Sequence, residues 1–206
     1  TTVNITVQPT NMPPLVNRGV TKIAGGNGFS LYLDANGSLY ASGANSNGQL
    51  GDGSTIDRSS FIKVDENVTE ISAGDGHSLY VKTDGSLWVM GGNASGQLGD
   101  GTTTNRSTPV QIVSSGVSSV SAGKSHSLFV KTDGSLWAMG ANTSSQLGDG
   151  ATTNLSTPLQ VVSSGVSSAS AGLNHSLFVK TDSSLWAMGS NARGAFGIDT
   201  STDSPT

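Results

Sequence analysis

The sequence predicts an all-β protein: four four-stranded antiparallel blades of a β-propeller, incomplete or completed by an oligomer, with an extra N-terminal strand. Three observations predict it. A fifteen-residue stretch recurs as His77–Gly91 (HSLYVKTDGSLWVMG), His126–Gly140 (HSLFVKTDGSLWAMG) and His175–Gly189 (HSLFVKTDSSLWAMG), and more faintly as Phe29–Gly43 (FSLYLDANGSLYASG). Two independent anchors, Tyr40, Trp88, Trp137, Trp186 and Ile23, Ile71, Val120, Ala169, both repeat at 48, 49 and 49 residues, a length suited to one four-stranded blade. No window shows a 3.6-residue apolar period, and the 28 glycines are too frequent for helices.

Composition narrows the function classes. Only 12% of the 206 residues are charged, the formal net charge is −4, and the ten Lys and Arg are scattered singly. No basic cluster is present to neutralise a run of phosphates, so nucleic acid is not an expected partner. The chain has no cysteine, which excludes disulfides, thiolate metal sites and cysteine nucleophiles. No apolar stretch approaches membrane-spanning length, so no membrane insertion is expected.

The elements follow in order. Residues 1–13 form an extra strand and linker: in Thr1–Gln8, Val3, Ile5 and Val7 alternate with polar residues, and Pro9 ends the run. A strand left over exposes backbone donors and acceptors. It folds back on an edge of its own chain as a clasp, augments a sheet of another subunit with Val3, Ile5 and Val7 bridging, or is disordered or a truncation artefact. Residues 14–206 carry the repeats, at about 14–59, 60–107, 108–156 and 157–206, with Leu15-Val16 standing where the first strand belongs. The chain ends at a unit boundary, since 203–206 align with 154–157.

Each unit reads as four strands, for example Pro109–Val113, Val117–Ala122, His126–Lys131 and Ser135–Met139. Asp133-Gly134 between the last two supplies the positive φ of a tight hairpin, as Asn36-Gly37 does in the first copy. Asp182-Ser183 stands there in the fourth copy, and serine weakens the turn slightly. Both faces of the hairpin are apolar: Leu128, Val130, Leu136 and Ala138 on one, Phe129, Trp137 and Met139 on the other. A sheet with one wet face would alternate apolar with polar, so these sheets are packed between neighbours.

The unit follows the pattern A-G-x-x-H-S-L-x-V-x-x-D-G-x-L-W-x-x-G-x-N-x-x-x-Q-L-G-D-G. It resembles the repeat of the RCC1 (regulator of chromosome condensation) family of β-propellers, through Gly74, His77, Asp84-Gly85, Trp88, Gly91, Asn93 and Gln97 to Gly101, and again through Gly123, His126, Asp133-Gly134, Trp137, Gly140, Asn142 and Gln146 to Gly150. The similarity covers roughly Pro14 to Asp199. It implies the fold and leaves the function open. Founding members are nuclear exchange factors for a small GTPase, secreted bacterial relatives include a β-lactamase inhibitor, and others are interaction platforms. The exchange factors have seven repeats and an inserted wedge, whereas the even spacing here leaves no room for one.

Candidate chemistry is sparse. His77, His126 and His175 are the only histidines and share one place in the repeat, where Phe29 stands in the first copy. Blade-equivalent residues are spread around an axis and do not converge, so a structural role once per blade is expected, not a metal site. Asp52, Asp100 and Asp149 recur in L-G-D-G turns, with Ile198 replacing them in the last, and suit backbone N–H acceptors better than a calcium cage. Trp88, Trp137 and Trp186 read as inter-blade core, with sugar stacking the alternative. No Ser-His-Asp set stands out, and Glu66 and Glu70 are the only glutamates, so neither an enzyme nor a cofactor is expected. Eight Asn-x-Ser/Thr sequons, among them Asn36 and Asn105, are glycosylation acceptors only in a eukaryotic secreted setting.

The function these residues predict is a non-enzymatic, extracellular or surface structural scaffold of prokaryotic type, assembling with other copies of itself into a ring or filament. Even the loops repeat, GDGTTTNRSTP against GDGATTNLSTP, which suits self-association better than one dedicated partner. The alternative is a soluble protein-binding or inhibitory propeller module, or a fragment of a seven-bladed one. An exchange factor fits least.

Overall fold

The computed structural model describes residues 19–198. The Thr1–Gln8 segment with Val3, Ile5 and Val7, the Leu15-Val16 position and the C-terminal unit boundary all lie outside the described residues.

The described residues fold into fifteen strands in four antiparallel sheets. Blade one is β1 (Val20–Gly25), β2 (Phe29–Asp34), β3 (Leu39–Gly43) and β4 (Arg58–Asp65). Blade two is β5 (Val68–Ala73), β6 (His77–Lys82), β7 (Leu87–Gly91) and β8 (Arg106–Val113), and blade three is β9 (Val117–Ala122), β10 (His126–Lys131), β11 (Leu136–Gly140) and β12 (Leu155–Val162). Blade four has three strands among the described residues, β13 (Val166–Ala171), β14 (His175–Lys180) and β15 (Leu185–Gly189). Strands follow sequence order within every sheet. The inner strands β1, β5, β9 and β13 lie beside one another, so the blades fan around an axis.

The sheets cut the repeat at a different point from the sequence unit. Pro109–Val113, read as the first strand of its unit, is the end of β8, the outer strand of the preceding blade, and that strand begins three residues earlier at Arg106. Each blade therefore takes its last strand from the next repeat, which ties neighbouring units together through the chain. Hairpin geometry follows the turn chemistry. Gly134 sits at φ 78°, and Asp133 Oδ1 accepts the Ser135 amide at 2.8 Å. In the fourth copy Ser183 is held at φ 69°, where a side chain costs about 1–2 kcal/mol relative to glycine.

Three apolar clusters lie between blades, not within them. Leu79, Val81, Leu87 and Val89 of blade two meet Phe129, Met139 and Val120 of blade three. Leu128, Val130, Leu136 and Ala138 of blade three meet Phe178 and Met188 of blade four. The rule is directional: the aliphatic face of each blade receives the aromatic face of the next.

Candidate functional site

Among the described residues, those singled out in the first three blades gather at these interfaces or in the loops that feed them, whereas His175 and Trp186 lie on the open side of blade four. His77 in β6 is fully buried, and its Nε2 lies 2.9 Å from Ser127 Oγ in β10 of the next blade. The Ser127 hydroxyl donates to the Gln97 carbonyl at 2.7 Å, so it must accept from the histidine, which fixes the Nε2–H tautomer. His126, Ser176 and the Gln146 carbonyl repeat the arrangement at 2.9 and 2.8 Å. Histidine, hydroxyl and carbonyl thus latch one blade to the next. The Nδ1 atoms of His77 and His126 are buried without a hydrogen-bond partner, which suits neutral imidazoles. Burial takes His77 down to about 3, with His126 adding to the shift, and takes His126 down to about 4, with His175 adding. Neither is poised for acid–base work at neutral pH.

Blade one departs from this pattern. Phe29 is buried where histidine stands elsewhere, while Ser78 of blade two still donates to the Gln49 carbonyl at 2.8 Å. His175, half-buried on blade four, faces no following blade among the described residues, and Phe196 packs edge-on to its ring at 6.5 Å.

The aspartates organise the loops before each outer strand. Asp52 Oδ1 accepts from the Ser54 amide and hydroxyl at 2.9 and 2.8 Å and from Asn45 Nδ2 at 3.1 Å, while Oδ2 accepts from Arg58 Nε at 2.6 Å. Burial pushes the Asp52 carboxyl up, but the Ser54 and Arg58 hydrogen bonds outweigh it and hold it at about 2. Asp100 makes the same set with Thr102, Asn93 and Arg106. Asp149 keeps Asn142 and the Ala151 amide only, because alanine and Leu155 replace the hydroxyl and the arginine. Among the described residues no group of three or more His, Asp or Glu is placed to hold a metal ion.

Trp88, Trp137 and Trp186 stack on Tyr80, Phe129 and Phe178 across the hairpin, with centroids 6.3, 5.9 and 6.0 Å apart. Lys82, Lys131 and Lys180 cover the rings at 4.9, 4.5 and 4.2 Å, and each indole N–H donates to a serine hydroxyl. Trp88 and Trp137 are half-buried at blade interfaces, whereas Trp186 is exposed. Sequence reasoning missed the serines of the latch, and it read Asn93 and Asn142 as repeat positions without their bonding role. Asn93 and its equivalents donate to the aspartate and accept the Leu98 amide, and their fixed seven-residue offset from the aspartate was the available signal.

These latches and loops recur with a period that known repeats share. The regulator of chromosome condensation (RCC1) repeat matches residues 36–81, 84–130 and 133–179, and a second version of the same repeat matches 20–49, 68–97, 117–146 and 166–195. The chain belongs to the RCC1 repeat family. Among solved structures, the yeast RCC1 protein Prp20 bound to Kap60 superposes with a TM-score of 0.81 at 21% identity, over 94% of this chain and 49% of that one. Human WBSCR16 gives 0.76 at 22%, over 90% of this chain and 51% of that one. A separate Prp20p structure from Saccharomyces cerevisiae, whose reported binding concerns Gsp1p and histones, gives 0.78 at 22%. At these identities the likeness shows the fold, and the chain spans about half the length of these RCC1-type proteins. No curated protein sequence matches.

The RCC1 repeats leave two blade faces unpartnered among the described residues. On blade four, Leu185 is 65% exposed, although the equivalent Leu87 and Leu136 are at 0%. On blade one, Ile23 is 79% exposed beside the stacked Tyr32 and Tyr40. A recess at the inner strand ends is lined by Gly26, Gly74, Gly123 and Gly172, with Asp75 and Lys124 as its charged side chains. The arrangement can bind.

Proposed function

We propose that this RCC1-type chain is a non-enzymatic structural and protein-binding module that works by adding blades to its open faces, with copies of itself as the partner. One observation carries the reading. HSLFVK occurs unchanged at 126–131 and 175–180, yet the first copy is sealed on both faces, while the second leaves Leu177 and Val179 only half-buried beside an exposed Leu185. Apolar side chains left open at positions that are core in the equivalent repeats mark an interaction site. A blade face is also specific, since it accepts only a sheet of matching twist and chemistry. The setting that fits a cysteine-free, weakly charged, Ser- and Thr-rich repeat is the cell surface or the extracellular medium, which fractionation of the native source would check.

Light scattering after gel filtration of the 206-residue chain tests the reading. Masses at integral multiples of 20.8 kDa that grow with concentration support it. A single species of one-chain mass at every concentration overturns it. A second reading has its own observation: the superposed relatives are about twice as long, so blades in cis would fill the same faces, and the chain would then be part of a soluble protein-binding propeller. Exchange-factor activity draws support only from the fold.

A further inference from the structure

We infer that the two open faces are the two halves of one joint: blade four of one copy receives blade one of another, head to tail, with the chemistry of the interior joints. This rests on the self-association proposed above and names its surface and register.

Every interior joint between blades two, three and four has the same parts. The leading blade supplies a histidine, a serine acceptor, a hairpin carbonyl and a loop leucine followed by glycine. The following blade supplies a serine hydroxyl, two backbone amides and a methionine. Thus Ser121 Oγ accepts the Ala171 amide at 2.9 Å, the Gly134 carbonyl accepts the Val166 amide at 2.9 Å, and Met188 lies over Gly148 beside Leu147.

Blade four still holds the leading set. His175 is half-buried, Ser170 is exposed, and Ser183 stands in the hairpin position of Gly134. Blade one holds the following set. Ser30 occupies the place of Ser127 and Ser176 but is exposed where they are fully buried, and Gly25 and Val20 carry the two amides. Ile23 stands where Ile71 and Val120 pack into joints.

The departures from the repeat are complementary as well. The loop leucine becomes Phe196 on blade four, and the methionine that meets it becomes Ser42 on blade one. In interior joints this leucine and methionine share one cluster. A larger residue on one open face is therefore matched by a smaller one on the other, as expected if the two meet. Blade four joined to itself would set histidine against histidine and aliphatic face against aliphatic face, with no serine hydroxyl supplied to either ring.

The test uses two substitutions of the full chain at exposed sites, Leu185→Asp on blade four and Ile23→Asp on blade one. Each variant alone is expected to lose association by at least about tenfold, with unchanged circular dichroism and thermal midpoint at low concentration. Mixed one to one, they should form a heterodimer held by the one intact joint, read by light scattering and native mass spectrometry. Loss with Leu185→Asp but not Ile23→Asp would show a symmetric contact and overturn the joint while self-association stands. Wild-type assembly untouched by either substitution would also overturn it, placing the contact elsewhere. A wild-type chain that remains a monomer overturns both the joint and the reading beneath it.

Discussion

Blades three and four share the same second strand, HSLFVK, and the structure treats the two copies differently. In blade three Leu128, Phe129 and Val130 are all buried, and His126 is latched to Ser176. In blade four Leu177, Val179 and His175 are only half-buried, and the hairpin partner Leu185 is open to solvent. Sequence sets the strand, its turn and its two apolar faces, but the neighbour decides whether those faces count as core. Stability in such an array is a property of joints more than of blades.

The largest expected effect breaks the comparison at its apolar centre. Leu136→Ala removes a fully buried side chain from the joint between blades three and four and should cost about 2–5 kcal/mol in urea unfolding. Leu185→Ala, the same change one repeat later, should stay within about 0.5 kcal/mol in dilute solution. If copies join, its cost should grow with protein concentration. Equal costs in dilute solution would mean that blade four is covered by something else.

A smaller effect separates two glycines of one type. Gly148 and Gly197 both sit at positive φ, 73° and 67°, so alanine strains each backbone by about 1–2 kcal/mol. A Cβ on Gly148 would fall 2.2 Å from Met188 Sδ, whereas one on Gly197 meets nothing within 4 Å. Gly148→Ala should therefore cost about 1–3 kcal/mol more than Gly197→Ala, measured as a difference in unfolding free energy. Next comes the aspartate pair. Asp100→Asn forfeits charge-assisted bonds from Arg106 that Asp149 lacks, so it should cost about 1 kcal/mol more than Asp149→Asn, Arg106 being partly solvated.

Much of the fold was legible because the repeat supplied its own controls. Strands at 117–122 and 126–131 sit where the sequence placed them, since Gly, Asp-Gly and the two-faced apolar pattern mark every boundary. The grouping of strands into sheets was not legible. A cyclic repeat has no natural first strand, and only hydrogen bonding shows that 106–113 closes the preceding blade. The latch was half legible. His77 was conspicuous as one of three histidines, but Ser127 was hidden in a serine-rich chain, and its partner lies fifty residues away on another sheet. The exposed state of Trp186 was also invisible, because it depends on a neighbour and not on the tryptophan.

The smallest expected effect concerns protons. His77 and His126 are held neutral by burial, well below the value near 6.5 of an unfolded chain. The unfolded state therefore binds more protons as pH falls below about 6.5, and stability declines in that direction. Between pH 7.5 and 6 each buried histidine should remove somewhat under 1 kcal/mol, about 0.6 of a pH unit of linkage. Blade one shows how to isolate this. Its joint works with Phe29 in the histidine position, and the facing Ser78 keeps its bond to the Gln49 carbonyl. His126→Phe should accordingly preserve the fold and flatten the stability–pH slope between pH 7.5 and 6 by the share of one buried histidine. A slope unchanged by that substitution would mean that the buried imidazole is not what makes the joint acid-sensitive, since the loop carboxylates stay ionised throughout this range.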